Sequence, residues 1–230
     1  MNTKDIAILI PARYASTRFP AKMLSDVGGK PLIRRVYDIC ASTGLDTYVL
    51  TDDDRIASAV PNSIITSENH ENGTSRCGEV IDKFNYTKFI NVQGDMPDIT
   101  PEIIEKIASW LDRYGYDYVS GGIVTAYTKM TPEKQQDQNA VKMIHTDSLA
   151  HWFCRSSLAY GSHHLGIYGY TKGALKNYGK LKVYPEEQIE KLEQLRWIQN
   201  GVSISVVEVD FDGIEINTPE DLEMWNQINK

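Results

Sequence analysis

Across its first two-thirds the chain alternates short apolar runs with stretches of helical period. No other feature narrows the fold as far. The apolar runs lie at residues 6–10, 47–51, 63–67, 88–93 and 116–124. Between them, "KPLIRRVYDICASTG" places Ile33, Val36, Tyr37 and Cys40 on one helical face, with Pro31 near its start and Gly44 after its end. "DDDRIASAVP" opens with acids and stops at Pro61. "TPEIIEKIASWLDRYG" has Thr100 as a cap, Pro101 in the first turn, and Ile103, Ile107 and Leu111 at spacing four. Strands and helices in strict alternation predict an α/β fold: a mostly parallel central sheet with helices on both faces. After residue 139 the rhythm changes. "NAVKMIH", "HHLGIYGY" and "VSISVVEVDF" read as strands, with one long helix between the last two. They predict a smaller β-rich lobe that partly rejoins the sheet. No linker or repeat interrupts the chain, so residues 1–230 are expected to form one compound domain whose two parts divide near residue 138.

Several function classes are disfavoured by simple counts. No run of 18 apolar residues exists, so no membrane span is expected. The five-residue apolar stretch after the N-terminus is too short for a secretory signal. A net charge of −7 argues against general nucleic-acid binding, which needs a basic surface. Cys40, Cys77 and Cys154 are odd in number and far apart, which fits neither a disulfide framework nor a CxxC zinc pattern. A reducing, cytoplasmic setting is the expectation. His145, His151, His163 and His164 match no standard zinc spacing.

Ligands of open parallel sheets bind at the carboxyl ends of the strands. Three segments sit at such ends. In "ILIPARYASTRFPAK", Arg13, Arg18 and Lys22 follow the first strand within ten residues, with hydroxyls and no acid. A phosphate-bearing polyanion is the natural guest, against the alternative of solvated surface charge. In "FINVQGDMPDIT", Gly94 permits close backbone approach and Asp95 stands where a hard cation would be held, or where a turn would need a capping acid. In "ENGTSRCGEV", the amides of a helix start, Thr74 and Arg76 offer a nucleotide contact, or only a helix start. Farther on, "PEEQIEKLEQLRWIQNG" read as one helix has an apolar face of Ile189 and Leu192, with Glu193 and Arg196 within about 40° of Ile189. Such inward charges form either an internal ion pair or a polar substrate wall.

With these residues laid out, the chain resembles the 3-deoxy-manno-octulosonate (Kdo) cytidylyltransferase family, from about residue 6 to about 225. The resemblance is carried by "IPARYASTRFPAKML", "GGKPLIRRV", "NGTSR", "NVQGD", "NAVK", "FCRS", "HHLGIYGY", "LEQLR" and "TPEDL", in the family's order. It implies a Rossmann-like nucleotidyltransferase with an inserted lobe, residues 1–138 forming a nucleotide-binding half and 139–230 a sugar-binding half. It implies that the anomeric hydroxyl of an eight-carbon acid sugar attacks the α-phosphorus of CTP and displaces pyrophosphate. Arg13, Ser16, Arg18 and Lys22 then hold the triphosphate, with Thr74, Arg76 and Gln93 also on the nucleotide. Gln93, Arg155, His164, Tyr168, Glu193 and Gln194 face the sugar. Asp95 and Asn217 mark the Mg2+ site, and Arg13, Lys22 and Asp95 are the catalytic set. CTP and an acid sugar are the expected partners, and a homodimer is compatible with the resemblance.

The chain departs from the family pattern at five points. Ala21 replaces the Gly before Lys22, Met96 an acid after "GD", Asn217 an Asp before "TPEDL", and His163 an Arg before His164; only "SSLAYGSH" separates Arg155 from His164, where a much longer segment is usual. Three rivals follow. One is a cytidylyltransferase for another acid sugar, such as 8-amino-Kdo or a nonulosonate, which a substrate panel separates. One is a weakened CTP-binding protein, marked by binding without pyrophosphate release. The third is a metal-dependent glycosyltransferase, for which Asp52 and Asp54 in "TDDDR" have Asp-x-Asp spacing but fit a helix start better.

Overall fold

The computed structural model describes residues 3–16, 18–115 and 121–229. Strands β1 (Ile6–Ala12), β2 (Asp46–Thr51), β3 (Ser63–Ile65) and β4 (Lys88–Val92) form a parallel block in the order β3-β2-β1-β4. All seven residues of β1 are buried, as a parallel strand covered on both faces requires. Ile6, Ile8 and Ile10 join one core with α1 (Leu32–Ser42) and α4 (Pro101–Tyr114); Ala7 and Leu9 join the other with α3 (Gly73–Val80). The two-faced α/β sandwich expected from the alternation is therefore present. α2 (Asp54–Ser58) starts on Asp53, whose side chain accepts from the Arg55 N–H.

Beyond β4 the sheet turns mixed. β8 (Ser162–Thr171) runs antiparallel between β4 and β5 (Ile123–Thr128), and β5 pairs in parallel with β9 (Ser205–Glu208). β7 (Leu149–Cys154) and β6 (Val141–Thr146) follow, and β6 pairs back onto β8, so β8-β5-β9-β7-β6 closes into a small barrel. Closure removes the sheet edge on this side. Only four of the nine described pairings are parallel. A mostly parallel sheet is thus true of the first block alone.

Other expectations need correction. The strand expected at 116–124 is β5, which starts at Ile123 and runs on to Thr128; residues 116–120 lie outside those described. The runs at 63–67 and 88–93 stop at Ile65 and Val92. β7 in "LAHWFC" escapes the sequence reading because its exposed and buried positions do not alternate cleanly. The long helix after β8 is three short ones: α6 (Lys172–Tyr178), α7 (Pro185–Glu190) and α8 (Leu195–Gln199). Lys191 ends α7 in the left-handed region at φ 55°. Ile189, expected on the inner face, is 77% exposed. Two more short helices, α5 (Pro132–Gln136) and α9 (Pro219–Ile228), complete the chain, α9 opening on a capping box of Thr218 and Asp221. Among the described residues no helix is long and apolar enough to cross a membrane. All three cysteines are buried free thiols.

Candidate active site

β1 and β4 are adjacent and parallel, so the loops after them leave the sheet at the same edge. This brings Lys22 to Asp95: its Nζ lies 2.7 Å from Asp95 Oδ2 and 2.8 Å from the Ile216 carbonyl. Lys22 is only 7% exposed. The opening cationic run is therefore not a uniform solvated surface. Ala21, which precedes it, adopts φ 56° and ψ 19°. This left-handed geometry suits Gly and costs an L-residue roughly 1–2 kcal/mol, which is the physical reason for a Gly at that position. Arg18 donates from both terminal nitrogens, to Asn139 Oδ1 at 2.8 Å and Asn217 Oδ1 at 3.2 Å. Arg13 is exposed, and it and Ser16 line the same cavity.

That cavity measures about 1200 Å3 and runs from these loops to α7, the 191–194 turn and the barrel. Gln93 sits in its wall between two glycines. A Cβ on Gly73 would come within 3.1 Å of Gln93 Nε2, and one on Gly166 within 3.1 Å of its Cγ. Gly94 also admits close packing: a Cβ there would meet Met23 Sδ at 2.9 Å.

The far wall carries the residues expected on the sugar side. Arg155 donates its backbone N–H to Glu190 Oε2 at 2.7 Å, its Nε–H to the Glu190 carbonyl at 3.0 Å, and a terminal N–H to the carbonyls of Gln138 and Asn139. Burial lowers its pKa, and nearby Arg18 adds to the effect. His164 Nε2 lies 2.9 Å from Thr125 Oγ1. The single Thr125 hydroxyl proton has the Ile167 carbonyl at 2.7 Å, so His164 carries its proton on Nε2 and keeps Nδ1 as an acceptor. Burial pushes His164 down to about 3, so it is a neutral hydrogen-bonding group, not a cation. Tyr168 donates its hydroxyl to Gln194 Oε1 at 3.1 Å. Gln194 is 1% exposed, and its Nε2 has no hydrogen-bond partner.

Glu193 does not pair with Arg196. It accepts the Thr74 backbone N–H at 3.0 Å, and burial raises its pKa against the pull of that bond. Arg196 instead holds Glu187 (2.6 Å) and Glu71 (2.6 Å). Thr74 was expected on the nucleotide. It is fully buried, with its N–H on Glu193 and its hydroxyl 2.9 Å from that of Tyr170, so it serves as an internal strut. Arg76 lines the cavity but is 3% exposed and bound to Asp52 (2.8 Å) and Thr66 (2.6 Å). This also removes Asp52 from any Asp-x-Asp metal motif, while Asp53 caps α2.

The sequence reading missed three groups. Glu190 anchors Arg155. Lys142, in "NAVK", is wholly buried and donates to the carbonyls of Asp137, Ala140 and Arg155, tying the 137–140 loop to the Arg155 strand. Glu215 lines the cavity near Asp95; burial and then the Asp95 charge push its carboxyl up to about 7. The "NAVK" motif pointed at Lys142, but no local pattern marks Glu190 or Glu215.

Cations and a carboxylate at the ends of parallel strands, facing a wall of buried hydrogen-bonding groups on a closed barrel, define a nucleotidyltransferase. The chain belongs to the cytidylyltransferase family, whose model matches residues 7–204. It is similar to the 8-amino-3,8-dideoxy-manno-octulosonate cytidylyltransferases of Shewanella piezotolerans (36% identity, 95% of this chain and 96% of the relative) and Shewanella halifaxensis (37%, with the same coverage). Among solved structures, a CMP:2-keto-3-deoxy-manno-octonic acid synthetase complexed with CTP aligns at a TM-score of 0.89 and 33% identity, covering 98% of both chains. 4-Diphosphocytidyl-2C-methyl-D-erythritol synthase from Anaerococcus prevotii, at a TM-score of 0.64 and 17% identity, shares the fold.

Proposed function

We propose that this protein transfers CMP from CTP to the anomeric hydroxyl of a 3-deoxy-octulosonic acid, Kdo or its 8-amino analogue, releasing pyrophosphate. The activated sugar would feed lipopolysaccharide or related surface-glycan synthesis. In the reaction a bond forms between the sugar oxygen and the α-phosphorus, and the α–β bridging P–O bond breaks. Arg13, Arg18 and Lys22 supply positive charge where the triphosphate and departing pyrophosphate concentrate negative charge, with Ser16 and Gln93 in reach of the nucleotide. Arg155, His164, Tyr168, Glu193 and Gln194 form the sugar wall. Asp95 lies on the phosphate side, and its carboxylate with triphosphate oxygens makes a donor set suited to Mg2+, which takes few protein ligands. When bound, that ion would neutralise phosphate charge. Asn217 was expected to share this role, but its Oδ1 accepts from Arg18.

The observation that carries the reading is that one cavity holds Lys22 fixed on Asp95 at the ends of two parallel strands together with Arg18 and Arg155, cations placed for a triphosphate and for a sugar carboxylate. The amino-sugar version is favoured by the relatives at 36–37% identity. Pyrophosphate release from CTP across Kdo, 8-amino-Kdo and sialic acid tests the assignment. Turnover with either octulosonate is expected; turnover with sialic acid alone, or with none, overturns it.

Glu193→Gln is expected to raise the KM for the sugar by about tenfold or more, the scale of one hydrogen bond to a charged group. The KM for CTP should change little. Steady-state kinetics in both substrates check this. An equal rise in both values would make Glu193 only the anchor of α3 through Thr74.

A further inference from the structure

Six carboxylates line the cavity, and five of them have a donor. Asp95 has Lys22, Glu71 and Glu187 have Arg196, Glu190 has the Arg155 N–H, and Glu193 has the Thr74 N–H. Of these six, Glu215 alone has no side-chain hydrogen bond or ion pair among the described residues. Its place is fixed by its neighbour. The Ile216 N–H donates to the Asp95 carbonyl at 2.9 Å, and the Ile216 carbonyl accepts Lys22 Nζ at 2.8 Å. Glu215 is therefore stitched beside Asp95, where the charges of Lys134, Lys22 and Arg155 also reach it. It also borders a small polar recess shared with Asn217 and Lys134.

A half-buried carboxylate next to a second one favours a cation in direct contact, and Lys134, Lys22 and Arg155 act on Glu215 without forming an ion pair with it. Lys22 is committed to Asp95, and Arg18 to Asn139 and Asn217. Resting on the cytidylyl-transfer reading above, we infer that Glu215 is the second carboxylate of the divalent-cation site, acting with Asp95, and that Asn217 positions Arg18. Two carboxylates with phosphate oxygens match the small protein contribution that Mg2+ usually accepts, and no cluster of three or more His, Cys, Asp or Glu suited to a metal occurs among the described residues.

The test is CTP affinity by calorimetry, without sugar, once in EDTA and once with Mn2+. In the parent protein Mn2+ should tighten CTP binding. In Glu215→Gln that gain should shrink by about tenfold or more, the scale of disturbing a metal's ligand shell. In EDTA the same variant should bind CTP at least as well as the parent, since a negative charge near the triphosphate is gone. Glu215→Asp, which keeps the charge on a shorter arm, should fall between the two. Asn217→Ala should keep the Mn2+ gain while weakening CTP in EDTA, through Arg18. A full Mn2+ gain in Glu215→Gln, or its loss in Asn217→Ala, would overturn the inference. Failure of the parent to bind CTP in either condition would overturn the cytidylyl-transfer reading itself.

Discussion

Lys22→Ala is expected to lower kcat/KM by at least about 100-fold, the scale of removing one preplaced donor to transition-state charge. The ammonium sits at 2.7 Å from Asp95 and 2.8 Å from the Ile216 carbonyl, so its position is set before substrate arrives. Preorganisation of this kind spares the cost of reorganising a long side chain during reaction. The same wiring predicts a stability cost. Without Lys22, a half-buried carboxylate and a buried carbonyl lose their donor, which costs about 1–3 kcal/mol. Kinetics measured well below the melting temperature separate the two effects. Lys22→Met, which keeps the stem without the charge, should lose activity like the alanine variant. Activity within threefold of the parent in either variant would reduce Lys22 to a structural tie.

Arg155→Ala is expected to be comparably severe, through the other substrate. Arg155 is held on three sides, by Glu190, Gln138 and Asn139. With Nε and one terminal nitrogen committed to these carbonyls, the other terminal nitrogen is left to meet a carboxylate, and the acceptor sugar carries one. Its loss should lower kcat/KM for the sugar by about 100-fold, on the scale of 3 kcal/mol for a charge-assisted contact, while CTP affinity stays within a few-fold. Arg155→Lys should recover little, because one ammonium cannot hold these three carbonyls and still reach a substrate carboxylate. A parallel loss of CTP affinity would show that Arg155 acts mainly as the strut of the 137–140 loop that holds Arg18 through Asn139.

The legible parts of this fold are those that one local period determines. β1 reads directly because every residue of it is buried, and α1 and α4 read from their apolar stripes. The strand-end loops follow from the parallel block, so the sequence places Lys22 where a phosphate would bind and Asp95 where a hard cation would. The break between α7 and α8 had no such signal. "PEEQIEKLEQLRWIQNG" contains no Gly or Pro between Pro185 and Gly201, so its period reads as one helix. The reason for the break is tertiary. Glu187 and Arg196 are nine residues apart, half a rotation out of phase on a continuous helix, and only a turn at Lys191 lets them meet at 2.6 Å. Glu193 is then turned to Thr74, which no helical wheel shows. The antiparallel insertion of β8 is likewise a pairing choice, invisible in a strand's own residues. Glu215 lies in an irregular segment between Ile214 and Ile216, where a lone acid reads as the solvent side of a strand.

The central claim is that the cavity joins CMP to an acid sugar. 31P NMR of the protein with CTP, Mg2+ and Kdo or 8-amino-Kdo measures this most directly, because the product's phosphodiester and free pyrophosphate have separate resonances. The account predicts that both grow at equal rates as CTP declines, and that neither grows when the sugar is omitted. CTP that stays bound and intact with both sugars, or pyrophosphate that appears without a matching phosphodiester, would contradict it.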